Sequence, residues 1–325
     1  MDPFARVSLG GTGVTVTRLG MGLAPIAGLF TPVGDDEARV AVDTAWEQGV
    51  RFFDTAPFYG AGLSERRGGA ALHGRSRSVF TLATKVGRRL ITGDDPGDDI
   101  WAERSGAAWV WDFSAAGVRR QHAESLERLG LERIDILHLH DPDNHFGPAL
   151  HDALPALVEL RAAGAIGAVS AGMNQSAMLT EFARTGHFDC FLLAGRYTLL
   201  DQSGLADLLP ECHRRGISVL CGGVYNSGVL ADPADGATFD YRPAPPAVLA
   251  RARAMAEVCA RHGVPLRAAA LQFPLAHPAV ASVLIGMRSA AEAADAAAMA
   301  ALEIPGALWR DLVRAGLLDA DVPHP

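Results

Sequence analysis

The chain has 325 residues, 49% hydrophobic and 20% charged, with a formal net charge of -8 at pH 7. This composition buries a large core and fits one barrel-sized domain over residues 1–325. The acidic balance, without any Lys/Arg run, argues against nucleic acid or an anionic membrane as the main partner and favours a small molecule.

The opening MDPFARVSLGG has no basic or apolar leader pattern. No apolar stretch approaches the roughly 18 residues of a membrane span, so a cytoplasmic protein is expected. Monomer and homodimer both stay open. RVSLGGTGVTVTRLG predicts a hairpin over the barrel floor, with Gly10, Gly11 and Gly13 in the turn and Val14 and Val16 alternating on the return. Strands are predicted near 17–22, 51–54, 79–85, 134–140, 167–172, 189–193, 217–222 and 281–285, separated by amphipathic helical sequence. The alternation predicts parallel βαβ units closing into a (β/α)8 TIM barrel with extended loops at its C-terminal face. The first helix follows Asp35 and Asp36, which can cap it, and ends at the glycine of EARVAVDTAWEQG. GVRRQHAESLERLG and ALPALVELRAAG stop in the same way, and residues 88–111 are a long Gly/Asp/Trp-bearing insertion. Cys190, Cys212, Cys221 and Cys259 have no CxxC or zinc-type spacing, which makes them reduced core thiols and leaves no metal expected.

Asp54, Tyr59, Lys85 and His140 fall at or just past three successive strand ends, where a barrel of this kind carries its chemistry. Taken singly, each has a plain structural use as a turn cap, a packing ring, a surface lysine or a buried histidine. Together they form a constellation for hydride transfer. Charge develops on a carbonyl oxygen as hydride moves, and Tyr59 can be the acid or base there. A phenol titrates near about 10, so work at neutral pH calls for a cation, Lys85, which Asp54 would hold ionised. His140 would orient the substrate oxygen. His138 shares that strand face but sits one layer deeper, as a core histidine.

This set resembles the catalytic tetrad of the aldo-keto reductases. The similarity runs through LGMGLAP, FFDTAPFYG, LATKVG, SLERLGLERIDILHLHDPD and NSGVLA to SVLIGMRSAAE. HDPD, AGMNQ, LLAGRYTLLDQ and GGVYNSGVLA are similar to the bacterial aldose 1-dehydrogenases, of L-fucose, D-threo-aldose and L-galactose type. That branch oxidises a cyclic sugar at its anomeric carbon to a lactone; a pyridoxal 4-dehydrogenase branch is similar over the same segments. The resemblance implies a nicotinamide cofactor, held by the backbone of Asn226, Ser227 and Gly228 and by Gly286, Arg288 and Ser289 at a helix start. Gly22 in GMGLA is a candidate for close backbone approach. Gly222, Ala194 and Ala296 stand where the wider family has a stacking tyrosine, an amide-binding glutamine and an adenine-contacting asparagine. Asn174 and Tyr225 are the replacements available. Arg288 suits a 2′-phosphate, but Glu292 stands where NADP-preferring relatives carry arginine, which favours NAD with NADP as the alternative. Phe30, Trp111 and Phe113, with Trp101 and Trp109, are candidates for an apolar wall against a sugar face.

Three other functions compete. General aldehyde or ketone reduction uses the same tetrad. A cofactor-sensing regulatory module would keep the barrel without needing the tetrad. A metal-dependent hydrolase would need more His/Asp ligands than His140 and Asp54.

Overall fold

Strands buried on both faces read as continuous apolar runs rather than alternating ones. FFD, TLATKV and ILHLH are buried at every position. The computed structural model describes residues 2–93, 100–102 and 107–325, and in it eight such runs form one closed parallel barrel. They are β1 (Leu19–Gly22), β2 (Phe52–Asp54), β3 (Thr81–Val86), β4 (Ile136–His140), β5 (Ala168–Met173), β6 (Cys190–Ala194), β7 (Ser218–Gly222) and β8 (Val280–Gly286). Each pairs with the next in sequence, and β8 closes on β1 with Gly286 beside Gly22. The architecture is the expected (β/α)8 barrel.

Arg6–Ser8 and Thr15–Thr17 form the predicted hairpin, with Val7 opposite Val16. Its Leu9 and Val16 join Phe52, Ile136, Leu220 and Leu284 in an apolar plug inside the barrel. Each large side chain buried there contributes roughly 1.5–3 kcal/mol, so the hairpin closes the floor by burial. Among the described residues, no helix is long and apolar enough to cross a membrane, and no His/Cys/Asp/Glu cluster could hold a metal ion.

Two expectations need correction. The helix Asp35–Glu47 starts at Gly34 with no side-chain cap; Asp35 and Asp36 lie inside its first turn, where they act on the helix dipole, and Asp35 accepts from Arg67 at 2.7 Å. The insertion after β3 is no plain loop: Arg88–Thr92 pairs antiparallel with Ala107–Trp111, placing Arg88 opposite Trp111 and Leu90 opposite Trp109. The β-branched and aromatic side chains of RRLIT and AAWVW support that ladder. Residues 94–99 and 103–106 of the insertion lie outside the described residues.

Candidate active site

Register decides which strand ends meet. Asp54 pairs with Ala83, Lys85 with His138, and His140 with Gly172, so the three strand-borne groups arrive at neighbouring heights on the C-terminal rim. Lys85 Nζ donates to Asp54 Oδ2 at 2.6 Å and to the Thr55 carbonyl at 2.8 Å, both fully inside the protein. The ammonium also lies 4.8 Å from the centre of the Tyr59 ring. His140 meets that ring edge-on at 5.9 Å. Tyr59, Lys85 and His140 line one cavity of about 320 Å³, floored by Leu192 and walled by Phe58 and Trp101. Asp54 stands behind Lys85.

Burial alone would raise the Asp54 carboxyl, but Lys85 and then His138 outweigh it and hold it below its ordinary value. Burial keeps His138 low despite Asp54. His138 Nδ1 shares a hydrogen with Ser170 Oγ at 2.7 Å, and its Nε2 is 3.4 Å from Asp54 Oδ1. It lines neither cavity, being the deeper of the two histidines. Burial, with Arg88 and Lys85 nearby, pushes His140 well below its ordinary value, so it is a neutral imidazole at physiological pH. Burial raises Tyr59 well above the ordinary phenol, with Asp54, Tyr241 and Asp141 adding to the rise and Arg88 opposing it. In the ligand-free site the group is therefore a neutral phenol, an acid ready to donate, where sequence reasoning looked for help toward the phenolate.

A second cavity, of about 570 Å³, adjoins the first and shares Leu29, Asn174, Ala194 and Tyr241 with it. Asn174, Tyr225, Asn226, Ser227, Gly228, Gly286, Arg288 and Glu292 line it, together with Phe30. Gly22, Gly222 and Ser289 do not. Gly222 packs inside the barrel, where an added Cβ would approach Leu192 Cδ1 at 3.3 Å; the adjacent Gly223 is the one facing the cavity. Ser289 caps the helix Ala290–Ala301 through Glu292 N–H at 3.2 Å. The Asn226 side chain is spent on Gly195 O and Thr198 Oγ1, and its backbone N–H donates to Gly223 O at 2.8 Å, so the expected backbone contact from Asn226 is already taken. Trp111 stacks on Phe113 and is 38% exposed, while Phe113 covers Gly87 so closely that a Cβ there would sit 2.3 Å from its ring. Neither lines a cavity.

Sequence reasoning missed Tyr241, Arg88, Asp141, Arg267 and Asp295. Tyr241 tips a short hairpin, Thr238–Phe239 with Arg242–Pro243, whose turn residues Asp240 and Tyr241 both have positive φ. Two non-glycine residues in that conformation carry no strong sequence signal.

The shape and chemistry of the larger cavity fit a dinucleotide. It has a turn with free space beside Gly228, the start of the helix Ala290–Ala301, whose dipole favours an anion, and an inner end that shares its lining with the cavity of Tyr59, Lys85 and His140. A parallel barrel with a proton donor, a buried ammonium–carboxylate pair and a neutral histidine beside such a cleft defines a nicotinamide-type oxidoreductase. The profile of the Aldo/keto reductase family matches residues 18–314, and the chain belongs to that family. It is 40% identical to a D-threo-aldose 1-dehydrogenase of Pseudomonas sp over 94% of this chain and 96% of that one. It is 37% identical to a pyridoxal 4-dehydrogenase of Microbacterium luteolum, over 96% and 97%. Among solved structures, the holo form of an aldo-keto reductase from Bacillus halodurans superposes with a TM-score of 0.77 at 26% identity, covering 98% of this chain and 97% of that one.

Proposed function

We propose that this oxidoreductase oxidises a cyclic aldose at its anomeric carbon to the lactone, with NAD as the preferred acceptor. The observation that carries the reading is the meeting of Tyr59, Lys85 and His140 in a sugar-sized cavity that opens into the dinucleotide-sized one. The coenzyme, when bound, supplies a hydride acceptor. The chain's own residues do the rest. Tyr59 takes the proton of the anomeric hydroxyl, and neutral His140 holds that oxygen by a hydrogen bond. Lys85, fixed by Asp54, stabilises the phenolate form of Tyr59 that takes that proton. Run backwards, the same phenol protonates a developing alkoxide.

The coenzyme preference rests on charge. Both arginines that line the larger cavity already have carboxylate partners: Arg267 makes two bonds of 2.8 Å to Asp295, and Arg288 lies 3.0 Å from Glu292. A 2′-phosphate would have to displace those partners, whereas a 2′-hydroxyl can donate to a carboxylate.

A second reading, oxidation of pyridoxal, is supported by the 37% identical relative and by the aromatic rings of Phe58 and Trp101, which meet edge to face on the cavity wall. The test is the initial rate of NADH and NADPH formation with L-fucose, D-arabinose, L-galactose, D-glucose and pyridoxal. Fast turnover of an aldose with NAD is the expected result. Turnover of pyridoxal alone selects the second reading, and no turnover of any of the five rejects both.

A further inference from the structure

The smaller cavity holds a charged pair that neither gives nor takes a proton in the proposed reaction. Arg88, at the start of the hairpin after β3, donates to Asp141 Oδ2 at 2.8 Å, and both residues line the cavity. The guanidinium is held in place by aromatic rings: its carbon lies 4.2 Å from the centre of Phe58, 5.0 Å from Trp109 and 4.8 Å from Trp111. Such stacking fixes a side chain that would otherwise be mobile. Asp141 follows His140 directly and has a φ of 44°, a left-handed conformation that is strained for a non-glycine residue. The strain turns its carboxylate back over the cavity rather than out to solvent.

Hydrogen-bond capacity is left over at this spot. Among the described residues, Arg88 Nε and the indole N–H of Trp101 are buried with no acceptor, and only Oδ2 of Asp141 receives a hydrogen bond from Arg88. A buried polar group without a partner is unfavourable, and a ligand that supplies the missing partner removes that cost. The set asks for a ligand that accepts from Arg88 and Trp101 and donates to Asp141. An aldehyde with an alkyl chain does neither beyond its reacting oxygen. A carboxylated substrate satisfies the donors but meets the negative Asp141. A ring bearing neighbouring hydroxyls both accepts and donates, and it is neutral, as the neutralised pair requires.

We infer that Arg88 and Asp141 form the specificity device of this enzyme, reading the ring hydroxyls of a neutral polyhydroxylated hemiacetal while Tyr59 and His140 act on its anomeric oxygen. This deepens the proposed aldose oxidation and rests on it. The aromatic cage sets the position of Arg88, and the strained backbone sets that of Asp141. Losing either leaves the other charge unpaired beside the substrate.

The test compares the native enzyme with Asp141→Asn and Arg88→Met on two substrates. One is the best aldose of the panel; the other is 2-hydroxytetrahydropyran, a cyclic hemiacetal with no further hydroxyl. The readout is the ratio of kcat/KM for aldose over the plain hemiacetal. Quenching of protein fluorescence by NADH and circular dichroism verify that each variant keeps its coenzyme site and fold. The inference expects that ratio to fall at least tenfold in both variants, through KM more than kcat. Equal losses on both substrates, or a ratio that does not move, overturn it while leaving aldose oxidation standing. A native enzyme that turns over the plain hemiacetal but no aldose overturns the functional reading itself. Should Arg88→Met fail to fold, the Asp141→Asn ratio decides, since amide and carboxylate occupy the same space. Preference of the native enzyme for a uronate over the matching neutral aldose also overturns the inference.

Discussion

The two cavities are built by different parts of the chain. In the smaller one, Lys85 and His140 stand on barrel strands with Asp54 behind, so their heights are set by backbone ladders and cannot drift independently. In the larger one, the lining comes from the turn after β7, the hairpin at Tyr241 and the start of the helix Ala290–Ala301, held to one another by side chains. The contrast separates what the enzyme must keep from what it can vary. On the proposed reading, strand ends hold the reacting groups at a fixed spacing, and loops carry the choice of coenzyme and substrate.

The largest effect should come from the strand-end cavity. Tyr59→Phe removes the proton and little else. Turnover is expected to drop by about 10³-fold, with NADH binding and circular dichroism retained. Activity within about tenfold of native would remove Tyr59 from the reaction.

Next in size is stability. Lys85→Met leaves Asp54 buried without its cation, a loss of about 3–5 kcal/mol, so the melting temperature should fall by roughly 10 °C. An unshifted transition would mean that the pair is not buried as described, and the division between rigid strand ends and adjustable loops would lose its main support.

The third test is pH. Burial keeps the Tyr59 phenol well above its ordinary value, so the protonated acid persists through neutral pH and the phenolate forms only on the alkaline side. Reduction needs the acid, and its kcat/KM should stay flat over roughly pH 6–9. Oxidation needs the base and should climb about tenfold per pH unit in that range. His140 is already neutral there and adds no second bend. An oxidation profile flat over the same range would contradict the assignment.

The smallest effect belongs to the loop cavity. Glu292→Gln frees Arg288 for a phosphate, and the NADP-to-NAD ratio of kcat/KM should rise about tenfold, near 1.4 kcal/mol, with little change on the aldose side. A matching loss with both coenzymes would show that Glu292 serves the helix start rather than coenzyme choice.

The same contrast accounts for what could be read in the sequence. The barrel was legible because TLATKV, ILHLH and AVSAGM are short apolar runs between helical periods, and Asp54, Lys85 and His140 end such runs. The hairpin at 88–111 escaped because residues 93–106, a Gly/Asp-rich stretch far longer than a hairpin turn, separate its two strands. Arg88 and Asp141 escaped for a related reason. Their meeting depends on that hairpin and on a positive φ at an aspartate, neither of which has a sequence period. Phe113 was read as a candidate for the substrate wall because aromatic residues near a cleft look alike in sequence, and only the absent side chain of Gly87 explains where it goes. Glu292 was legible as a charge, but its capture by Arg288 was not.

One feature of the barrel interior bears on how the enzyme fails when heated. Lys85, Asp54, His138 and Ser170 form a continuous polar chain that crosses from β3 to β2, β4 and β5, with separations of 2.6, 3.4 and 2.7 Å. Two of the eight seams between neighbouring strands, β2/β3 and β4/β5, are thus bridged directly, and the Asp54–His138 step spans β3 between them; Asp54 also acts on the Tyr59 phenol. Catalytic competence and cooperative melting share one set of bonds. On warming, the strand-borne groups of the smaller cavity are expected to stay in place while the barrel remains intact, whereas the larger cavity, fastened by Ser227, Arg196 and Asp240, is expected to loosen first. Saturating coenzyme should therefore protect the enzyme against early heat inactivation more than saturating sugar does.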